Sequence, residues 1–414
     1  MTSFTLMAKQ INLKSFQEFL KSSSTGGIIL IICVIVSLII ANSGAGAGFE
    51  ALLASEIGAD MAGVHLRYPI LLWINDGLMA IFFLLVGLEI KREMVEGELS
   101  SIKKASLPIL AAIGGVLAPA LIYFSLNSDT ETASGWGIPM ATDIAFAIAI
   151  ISMLGKRAPS SLKIFLSALA IVDDLMAILV IAIFYSTDIQ YTYLLYAFGI
   201  FIFLLLLNKL KVKNLAAYLI PGLFIWYFIH HSGVHATIAG VLTAFAIPTT
   251  PDATESPLEK LEHILVNPVN FLIMPVFALA NTNIQFESQM LQGLTTALGL
   301  GIIAGLVIGK PLGITLFSWI AVKLGISKMP KYATWAHIVG VGMLGGIGFT
   351  MSIFIALLSF SGKTLILSEA KFSILTASVI SGALGYFWLD QVAKRSKVKT
   401  GLRADQPLQQ DSDL

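Results

Sequence analysis

Between Ile164 and Thr187 the chain reads IFLSALAIVDDLMAILVIAIFYST, and the neighbours Asp173 and Asp174 are the only charges in it. The stretch is long enough to cross a bilayer as a helix, which takes about 20 mostly apolar residues. A charged side chain at the centre of such a helix costs roughly 2.5–3.5 kcal/mol on insertion scales, so two in succession need a reason to persist. Lining a polar cavity that handles cations or protons is such a reason. Neighbours on a helix point about 100° apart, so both can border one cavity only where the helix edge faces it. A structural pair hydrogen-bonded to adjacent helices is the plain alternative.

The rest of the chain agrees with a membrane setting. Of its 414 residues 56% are hydrophobic and 12% charged, against about 25% charged in a soluble domain. An all-α polytopic membrane protein is expected. The net charge of +1 points to no partner, and nothing suggests nucleic acid. The single cysteine, Cys33, lies in the apolar run GGIILIICVIVSLIIA, which excludes an intramolecular disulfide and speaks against a metal cluster. Residues 1–25 are polar and weakly basic with no cleavage pattern after Ala41, so the run reads as a retained first span.

Twelve candidate spans cover 23–41, 69–90, 105–126, 135–154, 164–186, 190–208, 214–230, 233–248, 264–282, 293–321, 336–360 and 372–393. The seventh and eighth are short and parted only by HHSG. With the N-terminus inside, Arg67, Lys363 and Lys371 fall outside and Lys310 within a span, leaving 22 of the 26 Lys and Arg on the cytoplasmic side. Twelve spans with both ends inside preserve that asymmetry. An eleven- or thirteen-span count scrambles it. The expected organisation is a cytoplasmic segment 1–22, a single transporter domain 23–393 and a cytoplasmic, disordered tail 394–414.

An internal repeat is faintly visible. GGVLAPALIY (Gly114–Tyr123) and GLVIGKPLGI (Gly305–Ile314) align on Pro119 and Pro311, placing Ala118 opposite Lys310. Partners seven spans apart imply halves of opposite topology. Chance likeness between glycine-rich apolar helices is the alternative.

Two spans look interrupted. The fourth, GWGIPMATDIAFAIAI, sets Gly137 and Pro139 just before Thr142 and Asp143. The eleventh, VGVGMLGGIGFTMSIFIALL, carries five glycines with Thr350 behind them. Non-helical backbone at membrane depth survives only where protein or a water-filled cavity satisfies it. Close packing through small residues is the simpler reading. Lys310, between Gly309 and Pro311, is the counter-charge for an aspartate, functional or purely structural. Asp76 interrupts the second span and is a pathway candidate. Glu89, Lys91, Arg92 and Glu93 close that span, Glu262 and His263 begin the ninth, and His235 sits in SGVHATIAG.

Six segments resemble NhaA-type bacterial sodium/proton antiporters, in that family's order and over most of the chain: WINDGLMAIFFLLVGLEIKRE, PMATDIAFAI, LAIVDDL, SGVHATIAGV, IGKPLGI and GIGFTMSIFIA. That family is itself one of the standard examples of inverted-topology transporters, so the general rule lends the repeat no independent support. The resemblance implies twelve spans in inverted repeats, with the fourth and eleventh discontinuous and crossing near the midplane. It makes Asp173 and Asp174 the carboxylates that bind cation and proton, with Thr142 and Asp143 beside them. Lys310 is expected to pair with Asp173. Asp143 and Lys310 would offset the positive and negative helix ends at the crossing. Glu89, Arg92, Glu93, Glu262 and His263 are implied in pH response, while His235, near an external helix start, is a pH-response candidate or a plain buried histidine. The cargo would be Na+, Li+ and H+ with no resident cofactor, and the place the bacterial inner membrane. The protein would be a homodimer and not an enzyme.

Two departures stand out. Val266 occupies a position where some relatives carry a further polar residue. The first external loop, about 42–68, shows only thin alternation (Val64, Leu66) after alanine-rich sequence, so it leaves open whether it forms the β-hairpin through which relatives dimerise. Rival functions are a proton-coupled symporter of an organic solute, an intramembrane aspartyl protease and a channel. The neighbours of Asp173 are Ala, Ile, Val and Leu, which suits a bare ion, and no GxGD pattern occurs.

Overall fold

The computed structural model describes residues 25–61, 64–186, 188–249, 256–286 and 288–404. Helix α1 (Thr25–Ala41) turns through 109° into α2 (Gly46–Ala54). A hairpin follows, with β1 (Glu56–Ile57) antiparallel to β4 (Tyr68–Pro69) and β2 (Asp60–Met61) antiparallel to β3 (Val64–His65). The first external loop therefore pairs as a hairpin, a point that its sequence leaves open. Its ladders are only two residues long, too short to leave a period-two pattern. Trp73 Nε1, in the helix that follows, donates to Ile57 O at 3.1 Å, and within the hairpin Arg67 meets Glu56 at 3.2 Å.

The remaining helices are α3 (Ile70–Val95), α4 (Ile102–Asn127), a 3₁₀ segment Ala133–Met140 leading to α5 (Ile144–Met153), α6 (Ser160–Phe184), α7 (Tyr191–Lys209), α8 (Ala216–His230) and α9 (Ile238–Ala246). They continue with α10 (Pro257–Asn281), α11 (Ser288–Gly293), α12 (Ala297–Lys323), α13 (Trp335–Gly345), α14 (Phe349–Ser359) and α15 (Thr364–Ala404). Among the described residues eight stretches are long and apolar enough to cross a bilayer, or ten if each of the two bent pairs, α1–α2 and α13–α14, counts as one. The protein is an integral membrane protein. Each of the twelve segments expected from sequence contains helix, but α8 and α9, at 15 and 9 residues, are short. The HHSG turn divides them, with Gly233 in the left-handed region at φ 81°.

Three spans carry a π turn: Trp73–Leu78 in α3, Val269–Ile273 in α10 and Gly305–Gly309 in α12. Such one-turn widenings inside α-helices are frequent at functional sites. α10 starts well before the expected 264, because Ser256 and Glu259 form a capping box with Pro257 at the first helical position. α15 continues to Ala404, so the expected disordered tail is helical in its first part. Its sequence AKRSKVKTGLRA is rich in helix-favouring Ala, Lys and Arg. Residues 405–414, and the expected segment 1–22, lie outside the described residues.

α4 and α12, which carry the two repeat-like segments, pack with their backbones in contact. A Cβ on Gly313 would lie 2.0 Å from Gly114 O, and one on Gly114 would lie 2.3 Å from Gly313 O. This approach carries the backbone of α12 close to the centre of the protein, where Lys310 is fully buried.

Candidate ion site at the helix breaks

Asp173 and Asp174 sit mid-way along α6 and are 1% and 2% exposed. They face different partners. Lys310 Nζ reaches both oxygens of Asp173, at 2.9 and 2.8 Å, and also donates to the carbonyl of Met140, the last residue of the 3₁₀ segment. This fork neutralises a carboxylate that is buried away from solvent. Asp174 has no such ally. Its Oδ1 is buried with no hydrogen-bond partner, and the residue lines a cavity of about 30 Å³ together with Glu89, Asp143, Asn270 and Thr350. A space of that size holds a water or a bare ion and little more.

The backbone around the cavity is not helical. Between Met140 and Ile144 the fourth segment is extended, and between Gly345 and Phe349 the eleventh bends by 46°. The two breaks are bonded to each other. Thr142 Oγ1 donates to Gly345 O at 2.8 Å, and Asp143 N donates to Ile347 O at 2.6 Å. Asp143 is the N-cap of α5, its Oδ1 accepting from Phe146 N at 3.2 Å. Its Oδ2 accepts from Thr350 N at 3.1 Å and from Thr350 Oγ1, at the start of α14. One carboxylate thus meets the positive ends of two helices, the placement that helix dipoles favour. Lys310 lies at the opposite, carbonyl end of the 3₁₀ segment, where a cation is favoured for the same reason.

The six pH-response candidates do not form one group. Arg92 Nε binds both oxygens of Glu262 at 3.0 and 2.9 Å, and its Nη1 meets Glu93 at 3.1 Å. Glu89, one turn away on α3, is buried and belongs to the Asp174 cavity. His263 is exposed beside Glu262. His235 lies elsewhere, in the turn before α9. Its Nε2 is 3.8 Å from Asp76 Oδ1 and its ring packs edge-on against Phe354. Asp76, inside the π turn of α3, is held more closely by His230, whose Nδ1 is 3.1 Å from Oδ2.

Sequence reasoning passes over His230, Asn270 and the role of Thr350. His230 is visible only as part of the polar HHSG punctuation, and Thr350 only as the residue behind a glycine run. Asn270 is one amide in an apolar helix, with no motif around it. Among the described residues no group of three or more His, Cys, Asp and Glu has the geometry to hold a metal ion.

A family model described as Na+/H+ antiporter 1 matches residues 17–389. The chain is 64% identical to the Na+/H+ antiporter NhaA 2 of Flavobacterium johnsoniae, over 95% of this chain and 97% of that one. It is 54% identical to the NhaA antiporter of Flavobacterium psychrophilum, over 93% and 98%. Against the NhaA antiporter of Escherichia coli the identity is 47%, over 91% and 98%. These relatives carry the names of transporters, not of enzymes. With a family model over residues 17–389 and relatives of high identity along their full length, the chain belongs to the Na+/H+ antiporter 1 family.

Proposed function

We propose that the protein is a secondary transporter that exchanges cytoplasmic Na+, and also Li+, for external H+ by alternating access. The observation that carries this reading is the unpartnered carboxylate oxygen of Asp174 at a cavity sized for one small ion. An isolated buried carboxylate is too costly to leave charged and alone, so it holds either a proton or a cation. If the protein reorients only when the site is filled, competition for one site yields exchange without contact between the ions. Asp173 takes part through Lys310, since a cation arriving beside Asp174 competes with the ammonium for Asp173. Two coupled carboxylates can release more than one proton per cation, and the two titrations belong to the pair. The exchange is then electrogenic and driven by the proton gradient. Proton competition slows cation uptake at low cytoplasmic pH and gives an alkaline optimum. The physiological role is sodium and pH homeostasis.

The same reading completes the architecture. Adding α1, the bent eleventh segment, and α8 and α9, joined through Gly233, to the eight long spans gives twelve spans in two inverted repeats, with both ends cytoplasmic in the bacterial inner membrane. The broken spans cross at the Thr142–Gly345 and Asp143–Thr350 bonds. Residues 23–393 act as one transporter domain without a resident cofactor, and two copies pair as a homodimer. Asp76 lies on the external pathway, and the Arg92–Glu262 cluster with Glu93, His263 and Glu89, as well as His235, serves pH response. A symporter for an organic solute fits less well, because the cavity is too small for one.

Inverted membrane vesicles carrying a respiration-driven pH gradient test this. Adding Na+ or Li+ should collapse the gradient in wild type, and Asp174→Asn should abolish the response. Exchange that persists in the double variant Asp173→Asn, Asp174→Asn would show that the site lies elsewhere.

A further inference from the structure

We infer that Ser378 of α15 is a positioning residue of the transport site: its hydroxyl caps α14 from outside and so holds Thr350 and Asp143 in place at the Asp174 cavity. The inference rests on the reading of that cavity as the ion site. The first amide groups of a helix have no partners within it, and the side chain at its head commonly caps them. The residue at the head of α14 is Gly348, which has no side chain to offer. None would fit there: a Cβ on Gly348 would lie 2.2 Å from Ser352 Oγ and 3.0 Å from Leu306 Cδ2. Ser352 is not free to swing aside, because its hydroxyl donates to Ile138 O at 2.7 Å. The cap therefore comes from other segments. Thr350 N donates to Asp143 Oδ2, and Phe349 N donates to Ser378 Oγ at 3.1 Å.

α15 is built against the break in the eleventh segment. Ser378 and Ser381, neighbours on one face of the helix, are both buried. A Cβ on Gly346, just past the end of α13, would lie 2.7 Å from Ser381 Oγ. The two serines thus flank the break, Ser378 at the head of α14 and Ser381 at the tail of α13. Without the Ser378 hydroxyl, Phe349 N would be a buried donor with no acceptor, which is costly. Asp143 is the carboxylate already at that helix end, and both its oxygens are in use. Oδ1 accepts from Phe146 N, and Oδ2 accepts from the Thr350 amide and hydroxyl. A shift of α14 that lets Phe349 N share Asp143 breaks up this set. Thr350 and Asp143 both line the Asp174 cavity, so the shift reaches the ion. Ser378 itself borders a different space, an apolar cavity of about 370 Å³ shared with Phe146, Ile347, Phe349 and Leu375. It acts on the cation only through the half-helix it holds.

The test uses the full chain purified and reconstituted in liposomes with an internal pH dye, assayed over a range of NaCl. Ser378→Ala is expected to raise the KM for Na+ about fivefold, the worth of one buried hydrogen bond, with kcat at saturating Na+ unchanged. Ser378→Thr keeps the hydroxyl, and its extra methyl has room in the apolar cavity, so its KM should match wild type. Ser378→Val has the shape of Thr without the hydroxyl and should behave as Ala does. A cap that served stability alone would lower the melting temperature and leave the KM in the wild-type range, and that result overturns the inference. So does a Thr variant as impaired as the Val variant, because volume and not the hydroxyl would then decide. Ser373 is the control, since its hydroxyl donates to Glu369 O within α15 itself, at 2.9 Å. Ser373→Ala should leave the KM unchanged, and an equal rise there also overturns the inference. If the Ala and Val variants fail to fold, as judged by size exclusion, Ser378→Cys decides, because sulfur is a weaker acceptor. A raised KM then supports the inference and a wild-type KM overturns it. Asp174→Asn separates the two levels of the argument. If it retains exchange, the ion-site reading and this inference fall together. If it is dead while Ser378→Ala and Ser378→Val match wild type, only the inference falls.

Discussion

Lys310 and Asp173 stabilise each other only as a pair. Both are sealed from solvent, at 0% and 1% side-chain exposure, so removing one leaves a buried charge without compensation. Breaking such a pair costs about 3–5 kcal/mol, while replacing both partners with neutral groups of similar volume is often close to neutral. Lys310→Met is therefore expected to lower thermal stability in detergent sharply, and the double variant Lys310→Met, Asp173→Asn to regain most of the loss. Equal instability of the single and double variants would show that the pair is not what holds this region. Glu96 behaves differently, lying just past the end of α3. Burial pushes its carboxyl above the ordinary 4.5, and the charge of Glu259 adds to this, with Arg92 opposing. A carboxyl raised in the folded state supports folding while protonated. Its contribution is present below the ordinary value and is lost as pH rises through the raised one. Glu96→Gln should thus remove part of the decline in melting temperature between acidic and neutral pH, read by thermal denaturation at both. At this scale, whatever breaks an apolar pattern is legible in the chain. Lys310 and the paired aspartates stand out because hydrocarbon makes charges conspicuous. Asn270 and His230 do not, because an amide or imidazole gains meaning only from residues far away in sequence: Asp174 and Glu89 for the one, Asp76 for the other.

Among the elements, the contact between α4 and α12 fixes where Lys310 arrives. Gly313 leaves no room for a side chain, since its Cβ would meet Gly114 O at 2.0 Å and the Ala118 Cβ at 2.9 Å. Backbone cannot yield as a flexible side chain does, so Gly313→Ala should push the helices apart at a cost of about 1–3 kcal/mol, typical of overpacking. The displacement would carry Lys310, three residues earlier, away from Asp173. Gly199 in α7 is the control, because nothing lies within 4 Å of its would-be Cβ. Gly199→Ala should be neutral or slightly stabilising, as a helix gains up to about 1 kcal/mol from that change. Melting temperatures of the two variants, with Na+-dependent exchange measured alongside, check the contrast. Sequence pattern exposes the breaks in the fourth and eleventh segments through their glycines and Pro139. It does not reveal the three π turns. Each of these carries or adjoins a polar candidate (Asp76, Asn270 or Lys310), yet a single widened turn leaves the hydrophobic period almost unchanged.

Over the whole molecule, the basic residues give the sequence a sidedness that hydropathy alone lacks, but they carry no information on how two copies meet. The hairpin between α2 and α3 bears on that. An isolated two-stranded hairpin is marginal in water, and this one has ladders of only two residues each. Its anchors reach inward from one end, through Trp73 to Ile57 O, while Ile57 itself is 51% exposed. Among the described residues, neither two-stranded ladder is joined by a third strand. An edge with free backbone groups is a template for pairing with a second edge. In a twofold dimer each hairpin would meet the same surface on its partner, which is the self-complementary geometry such symmetry requires. Replacing residues 58–67 with a two-glycine link is expected to shift the protein from dimer to monomer in native mass spectrometry. Exchange in vesicles should persist, because no residue of this segment lines the Asp174 cavity. The monomer should also lose melting temperature in a concentration-independent way, whereas the dimer's should rise with protein concentration as mass action demands. A shortened protein that stays dimeric would move the interface to another face, and one that loses exchange as a monomer would make pairing part of the transport cycle itself.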